Sequence, residues 1–148
     1  MELEDHLFFL CTQVVYRRSR AIHEALKPLA LSETEFRVLS AALRKGPLSM
    51  HDLAQWTAYE RTRLTHILHG LEARGLVERT GSASDRRSVL VRITPAGRRL
   101  FERAKKTVDA ITDEVMSDST PEEIEQARTV LRTLRRRLIA MQDGQGLA

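Results

Sequence analysis

Between Leu76 and Gly97 the chain reads LVERTGSASDRRSVLVRITPAG, and this stretch restricts the possible folds more than any other. Two short β-type runs, Leu76 to Thr80 and Val89 to Thr94, flank a polar loop that holds Gly81, Ser82, Ser84 and the triplet Asp85-Arg86-Arg87. Runs of this kind around a glycine-containing polar loop predict a β-hairpin, here with cations at its tip. The hairpin follows directly on an amphipathic helical pattern over residues 60–74 that stops at Gly75. A helix feeding a basic hairpin predicts a winged helix-turn-helix, an arrangement that touches DNA.

The rest of the chain reads as helices. Leu3, Leu7, Leu10 and Val14 recur at helical spacing, Ile22 and Leu26 continue on a nearby face, and Pro28 closes a first helix over residues 3–26. Ser32 followed three positions later by Glu35 is a capping box, and Phe36, Leu39 and Leu43 then mark one face up to Gly46-Pro47. Ser49 can cap a short helix over 50–56 with Leu53 and Ala54 inward, and Thr57 to Glu60 turn into the 60–74 helix. On that helix Leu64, Ile67, Leu68 and Leu71 share one side, which leaves Thr62, Arg63, Thr65, His66 and His69 around the other.

After the hairpin, Thr94-Pro95 is an N-cap followed by proline at the first helical position. Phe101, Ala104, Val108, Ile111 and Val115 predict a long helix to about Ser117. Ser119, Thr120 and Pro121 restart the pattern, and Ile124, Ala127, Leu131, Leu134, Leu138 and Met141 alternate spacings of three and four. That is a coiled-coil-like stripe. Gly144 to Ala148 reads as a frayed tail.

Charge is concentrated where the hairpin lies. Residues 60–99 hold nine lysines and arginines against four acids, a local excess of five, whereas the formal net charge of all 148 residues is +4. A basic stretch of this density is an electrostatic footprint for phosphate, because each neutralised phosphate releases condensed counterions. Aromatics make up 5% and charged residues 30%, which favours helices with ion-rich outer faces. The fold class expected is mainly α with a small β-hairpin wing.

An α-helix fits the major groove, where Arg forks onto guanine and Thr and His donate, accept or meet thymine methyls. Thr62, Arg63, Thr65 and His66 are the candidate base readers, with Arg61 on a phosphate or a base. A polar solvent face would be the simpler reading of an isolated helix, but the place between a helix-turn and a basic hairpin favours DNA. At the hairpin tip Arg87 is the candidate for the minor groove, Arg86 for backbone phosphate, and Asp85 for bracing an arginine. A turn charged for solubility alone is the competing reading of those three.

The helices outside this head need their own explanation. Apolar stripes at both ends of the chain predict that the terminal helices come together and pair with a second copy. A twofold dimer then sets two reading heads on successive major grooves, about 10 base pairs apart. Packing within one chain is the alternative. Arg135, Arg136 and Arg137 read as a solvated face.

Enzyme chemistry finds little support. There is no glycine-rich phosphate loop, no HExxH and no G-x-S-x-G, and the five histidines, His6, His23, His51, His66 and His69, form no ligand spacing with carboxylates. No catalytic residue, metal or cofactor is assigned, although a small metal- or thiol-dependent enzyme using His66, His69 or Cys11 is the reading from another class. Cys11 is the single cysteine, which excludes an intrachain disulfide. No apolar run reaches the about 18 residues of a membrane span, and Glu2, Glu4 and Asp5 stand where a signal peptide would be basic. A cytoplasmic location without a membrane partner is expected.

With these residues in view, the chain resembles the MarR family of transcriptional regulators. The resemblance runs from the first helix through LSETEFRVLSAL and DLAQWTAYERTRLTHILHGLEARGLVER to the wing DRRSVLVRITPAG. LEARGLVER leading into DRRSVLVRIT and then TPAG is the most specific part. The resemblance implies one MarR-like domain over 1–148, with a winged helix-turn-helix over 32–97 and a dimerisation region formed by 1–28 and 98–142. It also implies a homodimer on a pseudo-palindromic double-stranded DNA operator, usually a repressor, released by a small aromatic or phenolic effector that binds where the dimer helices meet the head.

For that effector the candidates are His6, Tyr16 and Arg17 on the first helix and Trp56 near the head, with the arginine forking onto a carboxylate while the rings stack. Ordinary core for Trp56 and plain surface for His6 are the alternatives. Other members sense oxidants through a cysteine, but aligned on LEDHLFFLC this chain has Phe8 at that place, three residues before Cys11. Two alternatives stay open: an oxidant sensor through Cys11, and a nucleoid-type architectural dimer without effector.

Overall fold

The computed structural model describes residues 2–81 and 89–145. Among the described residues six α-helices and three strands follow in the order α1 (Leu7–Leu26), α2 (Glu33–Lys45), β1 (Leu48–Ser49), α3 (Met50–Thr57), α4 (Arg61–Ala73), β2 (Val77–Gly81), β3 (Val89–Ile93), α5 (Pro95–Met116) and α6 (Pro121–Gln145). The expected fold class, mainly helical with a small wing, is the one observed. The chain divides into two compact units, residues 1–111 and residues 112–148.

In the first unit the capping signals do what their chemistry allows. The Ser32 hydroxyl accepts from the Glu35 amide at 3.1 Å while the Glu35 carboxylate accepts from the Ser32 amide at 2.9 Å, which satisfies two donors that the first turn of α2 leaves open. Thr94 likewise accepts from the Gly97 amide at 3.0 Å and so starts α5 ahead of Pro95. The first helix is shorter than its pattern: Leu3–Asp5 form a separate 3₁₀ turn and His6 is extended, so α1 begins at Leu7.

The sheet is antiparallel with strand order β1-β3-β2, and Val91 of β3 lies between Leu48 and Arg79. β1 is a strand that hydrophobic periodicity misses, because two residues cannot display a period. Leu48, Val77 and Val91 turn into one core with Ile22 and Leu26 of α1, Val38 and Leu39 of α2, Leu53 of α3, the apolar side of α4, and Phe101, Ala104 and Val108 of α5. The Phe36 and Phe101 rings stack with centroids 5.1 Å apart.

Two glycines make the α4–wing–α5 corner possible. Gly75 takes φ +67°, and the amides of Gly75 and Leu76 return to the carbonyls of Glu72 and Leu71, a left-handed cap that ends α4 and aims the chain into β2. Gly97 is a case of contact: a Cβ there would lie 2.0 Å from the Leu76 carbonyl oxygen and 2.9 Å from the Ile93 side chain. Only a hydrogen fits between the first turn of α5 and the root of the hairpin.

The second unit holds the end of α5 and the whole of α6. Thr120 and Glu123 form a reciprocal capping box at the start of α6. Along that helix Ile124 and Leu134 are half-buried, whereas Leu131, Leu138 and Met141 are exposed. No helix among the described residues is long and apolar enough to cross a membrane.

Candidate nucleic-acid interface

The helix-turn-helix is built by two caps and a tight turn. Ser49 accepts from the Asp52 amide at 3.1 Å to start α3. At the other end Ala58 adopts φ 57°, the left-handed geometry that closes α3 and allows α4 to begin three residues later. Thr57 is buried at 1% exposure, and its hydroxyl donates to the Leu53 carbonyl at 2.7 Å, so no polar group is stranded under the turn.

α4 then divides cleanly. Leu64, Leu68 and Leu71 are fully buried and Ile67 nearly so. Arg61, Thr62, Arg63, Thr65 and His66, the sequence-derived base readers and their flanking arginine, are all exposed, as is His69. Thr65 donates to the Arg61 carbonyl at 2.9 Å. Its hydroxyl proton is thereby used within the helix, so toward a base edge Thr65 offers lone pairs and a methyl group.

Arg63 is held by chemistry that the sequence pattern does not reveal. Its guanidinium carbon lies 4.4 Å from the centroid of the Tyr59 ring, and Arg37 lies 5.2 Å from the same centroid. The Tyr59 hydroxyl donates to Glu33 at 3.4 Å, and Glu33, only 8% exposed, accepts from Arg37 at 2.6 Å. Burial, aided by the charge of Glu33, pushes the Tyr59 phenol above its ordinary value, so at neutral pH it stays a neutral donor. Two cations thus share one aromatic ring, and the ring is anchored to a paired carboxylate.

The basic count of this region is partly spent inside the chain. Arg79 donates twice to Glu72, at 2.6 and 2.9 Å, Arg74 meets Glu35 at 3.3 Å, and Arg92 stands 4.0 Å from Glu78. The hydrogen bond from Arg79 holds the Glu72 carboxyl below the usual carboxylate range. Among the described residues no carboxylate pairs with Arg61 or Arg63, and these are the cations the helix offers outward. Asp85, Arg86 and Arg87 fall within 82–88 and lie outside the described residues.

The other sequence candidates are distributed over several places. His6 precedes α1, its ring 6.0 Å from that of Phe8, and Cys11 is a half-buried free thiol on α1. Tyr16 and Arg17 are exposed on α1. Tyr16 lines a groove of about 450 Å³ with Arg20, His23, Glu33, Thr34 and Arg63. Trp56 stands in a different cleft, of about 350 Å³, beside Arg37, Arg44 and Lys45, with the Lys45 ammonium 4.0 Å from the centre of its ring. Arg20, His23 and Tyr59 were not singled out from the sequence. For the first two a signal existed, since Tyr16, Arg20 and His23 are spaced four and three apart on one helix face.

Known proteins share this architecture. A sequence model of the MarR family matches residues 31–88. A MarR-family transcriptional regulator from Rhodococcus sp. RHA1 matches with a TM-score of 0.83 at 28% identity, over 90% of this chain and 95% of that one. CouR from Rhodococcus jostii RHA1, solved bound to p-coumaroyl-CoA, matches at 0.82 and 30% identity, over 90% and 94%. A mutant MarR from E. coli complexed with operator DNA matches at 0.80 and 25% identity, over 90% and 99%. A winged head with an outward polar recognition helix, together with these likenesses, means that the chain belongs to the MarR family of DNA-binding transcriptional regulators.

Proposed function

We propose that this regulator is a cytoplasmic homodimeric repressor that reads a pseudo-palindromic operator and leaves it when a small aromatic or phenolic ligand binds. The observation that carries the DNA reading is the division of α4: four apolar side chains anchor one side in the core while Arg61, Thr62, Arg63, Thr65 and His66 face outward. Anchoring of that kind holds the reading side chains at a fixed height and angle over the groove, which direct base contact requires. Arg61 and Arg63 supply the free cations, and Arg86 and Arg87 of the wing add phosphate and minor-groove contacts.

Two exposed apolar rows support the homodimer. Leu7, Leu10 and Val14 on α1 and Leu131, Leu138 and Met141 on α6 are each between 45% and 59% exposed. Rows of large apolar side chains left open in this way are the ordinary mark of a protein–protein contact. The effector reading is supported by CouR, whose ligand carries a phenolic ring.

A gel-shift series on duplexes from the regulator's own and neighbouring promoters tests the proposal. Arg63→Ala is expected to weaken binding by about 1–3 kcal/mol and relax preference at one base pair, while Arg87→Ala weakens binding to all duplexes alike. Equal affinity of the wild type for operator and scrambled duplex would leave an architectural DNA binder instead.

A further inference from the structure

The two cations that α4 offers outward are held differently. Arg61, directly after the N-cap, has neither a carboxylate nor an aromatic ring against it among the described residues, whereas the guanidinium carbon of Arg63 lies 4.4 Å from the centre of the Tyr59 ring. We propose that Tyr59 is a positioning residue for sequence reading, a platform that holds Arg63 in place to fork onto one base and leaves Arg61 to meet phosphate. The inference rests on the DNA reading above and adds the side chain that sets its specificity.

The kind of partner decides what an arginine can still do. Arg79 and Arg74 are held by the carboxylates of Glu72 and Glu35, and a guanidinium bound in that way has spent the edge that a base would need. An aromatic ring attracts the same charge without taking up a donor. Among the described residues no hydrogen bond uses the N–H groups of Arg63, so its fork stays open while its position is held. A long side chain with no such support gives up its rotamer freedom only when it meets the base, and that loss is subtracted from the contact. Arg63 has given up much of it beforehand.

The platform is braced from a helix other than the one that carries Arg63. Tyr59 stands in the turn between α3 and α4, directly after the left-handed Ala58. Its hydroxyl donates to Glu33 at 3.4 Å, Glu33 accepts from Arg37 at 2.6 Å, and Arg37 reaches back to the Thr57 carbonyl at 3.4 Å. The turn is thereby tied on both sides of Ala58 to α2, whose Val38 and Leu39 are sealed in the core. Arg37 lies 5.2 Å from the same ring centre, and its pairing with Glu33 lowers the repulsion between the two cations that share the ring.

The test uses the full chain in fluorescence-anisotropy titrations against the promoter duplex that wild type prefers, the same duplex with each base pair of a half-site exchanged in turn, and a scrambled duplex. Arg63→Ala is expected to abolish preference at one base pair. At that pair Tyr59→Leu should lose preference about 3- to 30-fold, while Tyr59→Phe, which keeps the ring, loses less than about 3-fold. Affinity of Tyr59→Leu for the scrambled duplex should stay within about 2-fold of wild type with the same salt slope, since no phosphate contact is removed. In the Arg63→Ala background Tyr59→Leu should cost no further preference. A Tyr59→Leu variant that keeps full preference, or that weakens every duplex alike, overturns the positioning role. Where Tyr59→Leu melts as an unfolded chain, nuclear magnetic resonance of wild type and Tyr59→Phe decides: Arg63 side-chain signals shifted upfield of those of Arg61 by the ring support the platform, and unshifted signals overturn it. A wild type that discriminates while Arg63→Ala keeps every preference overturns this inference alone. A wild type that does not discriminate overturns the DNA reading and the inference with it.

Discussion

α4 and α6 carry comparable apolar stripes and meet opposite fates. Leu64, Leu68 and Leu71 of α4 are all at 0% exposure, sealed by strands and helices of their own unit, whereas Leu131, Leu138 and Met141 of α6 are about half exposed. The difference teaches that helical periodicity reports a face that must be covered, but not by what. In the head the cover is supplied within the chain, and the result is a packed base for the outward polar side chains of α4. Along α6 these side chains stay open, and in the proposed homodimer a second copy would cover them and make the stability of that region dependent on protein concentration.

Three experiments probe this contrast. Leu68→Ala should be the most damaging, at about 2–5 kcal/mol of unfolding free energy, because a sealed site cannot collapse around the missing atoms; denaturant melting that shifts by less than 1 kcal/mol, roughly the cost of an exposed change, would mean the α4 side is loosely packed. Next, Leu131→Asp combined with Leu138→Asp should leave the head folded by circular dichroism but weaken the proposed self-association by about 100-fold or more, since charges would then sit where that proposal has apolar anchors pair. Sedimentation showing an unchanged dimer would remove α6 from the interface. Gly97→Ala should cost about 1–3 kcal/mol, as the added methyl meets a backbone carbonyl that has no rotamer to escape into. A neutral result in thermal melting would show that the corner between wing and α5 yields.

The parts of the fold that were legible in the sequence are those governed by local chemistry. Ser32 with Glu35, Ser49 before α3, and Thr94 ahead of Pro95 each stand where a helix begins, because a hydroxyl three residues before an open amide is a cap in nearly any context. β1 escaped notice since its two residues are a strand only by pairing with β3. The break at His6 escaped notice since the apolar spacing runs through it without interruption.

The site shows the same boundary. The outward residues of α4 followed from periodicity alone, because the buried leucines fix which way the rest must point. The place of Arg63 against Tyr59, and of Arg20 and His23 across the groove from it, depends on how α1, α2 and the turn before α4 come together in space, which no single helical pattern encodes. The nine basic residues of the 60–99 region also read as a freer positive field than they make. Arg74, Arg79 and Arg92 face carboxylates of the chain itself.

The bare hydrogen of Gly97 against the Leu76 carbonyl has a mechanical meaning. With backbone seated on backbone there is no compressible cushion at that joint, so any rotation of the opening turn of α5 would carry the root of the hairpin with it, as a crank carries its arm. The arm of the crank is β3, five residues long, or roughly 16 Å at strand rise. A rotation of about 10° at the joint would therefore sweep the far end of the arm through about 3 Å, roughly the span of one hydrogen bond.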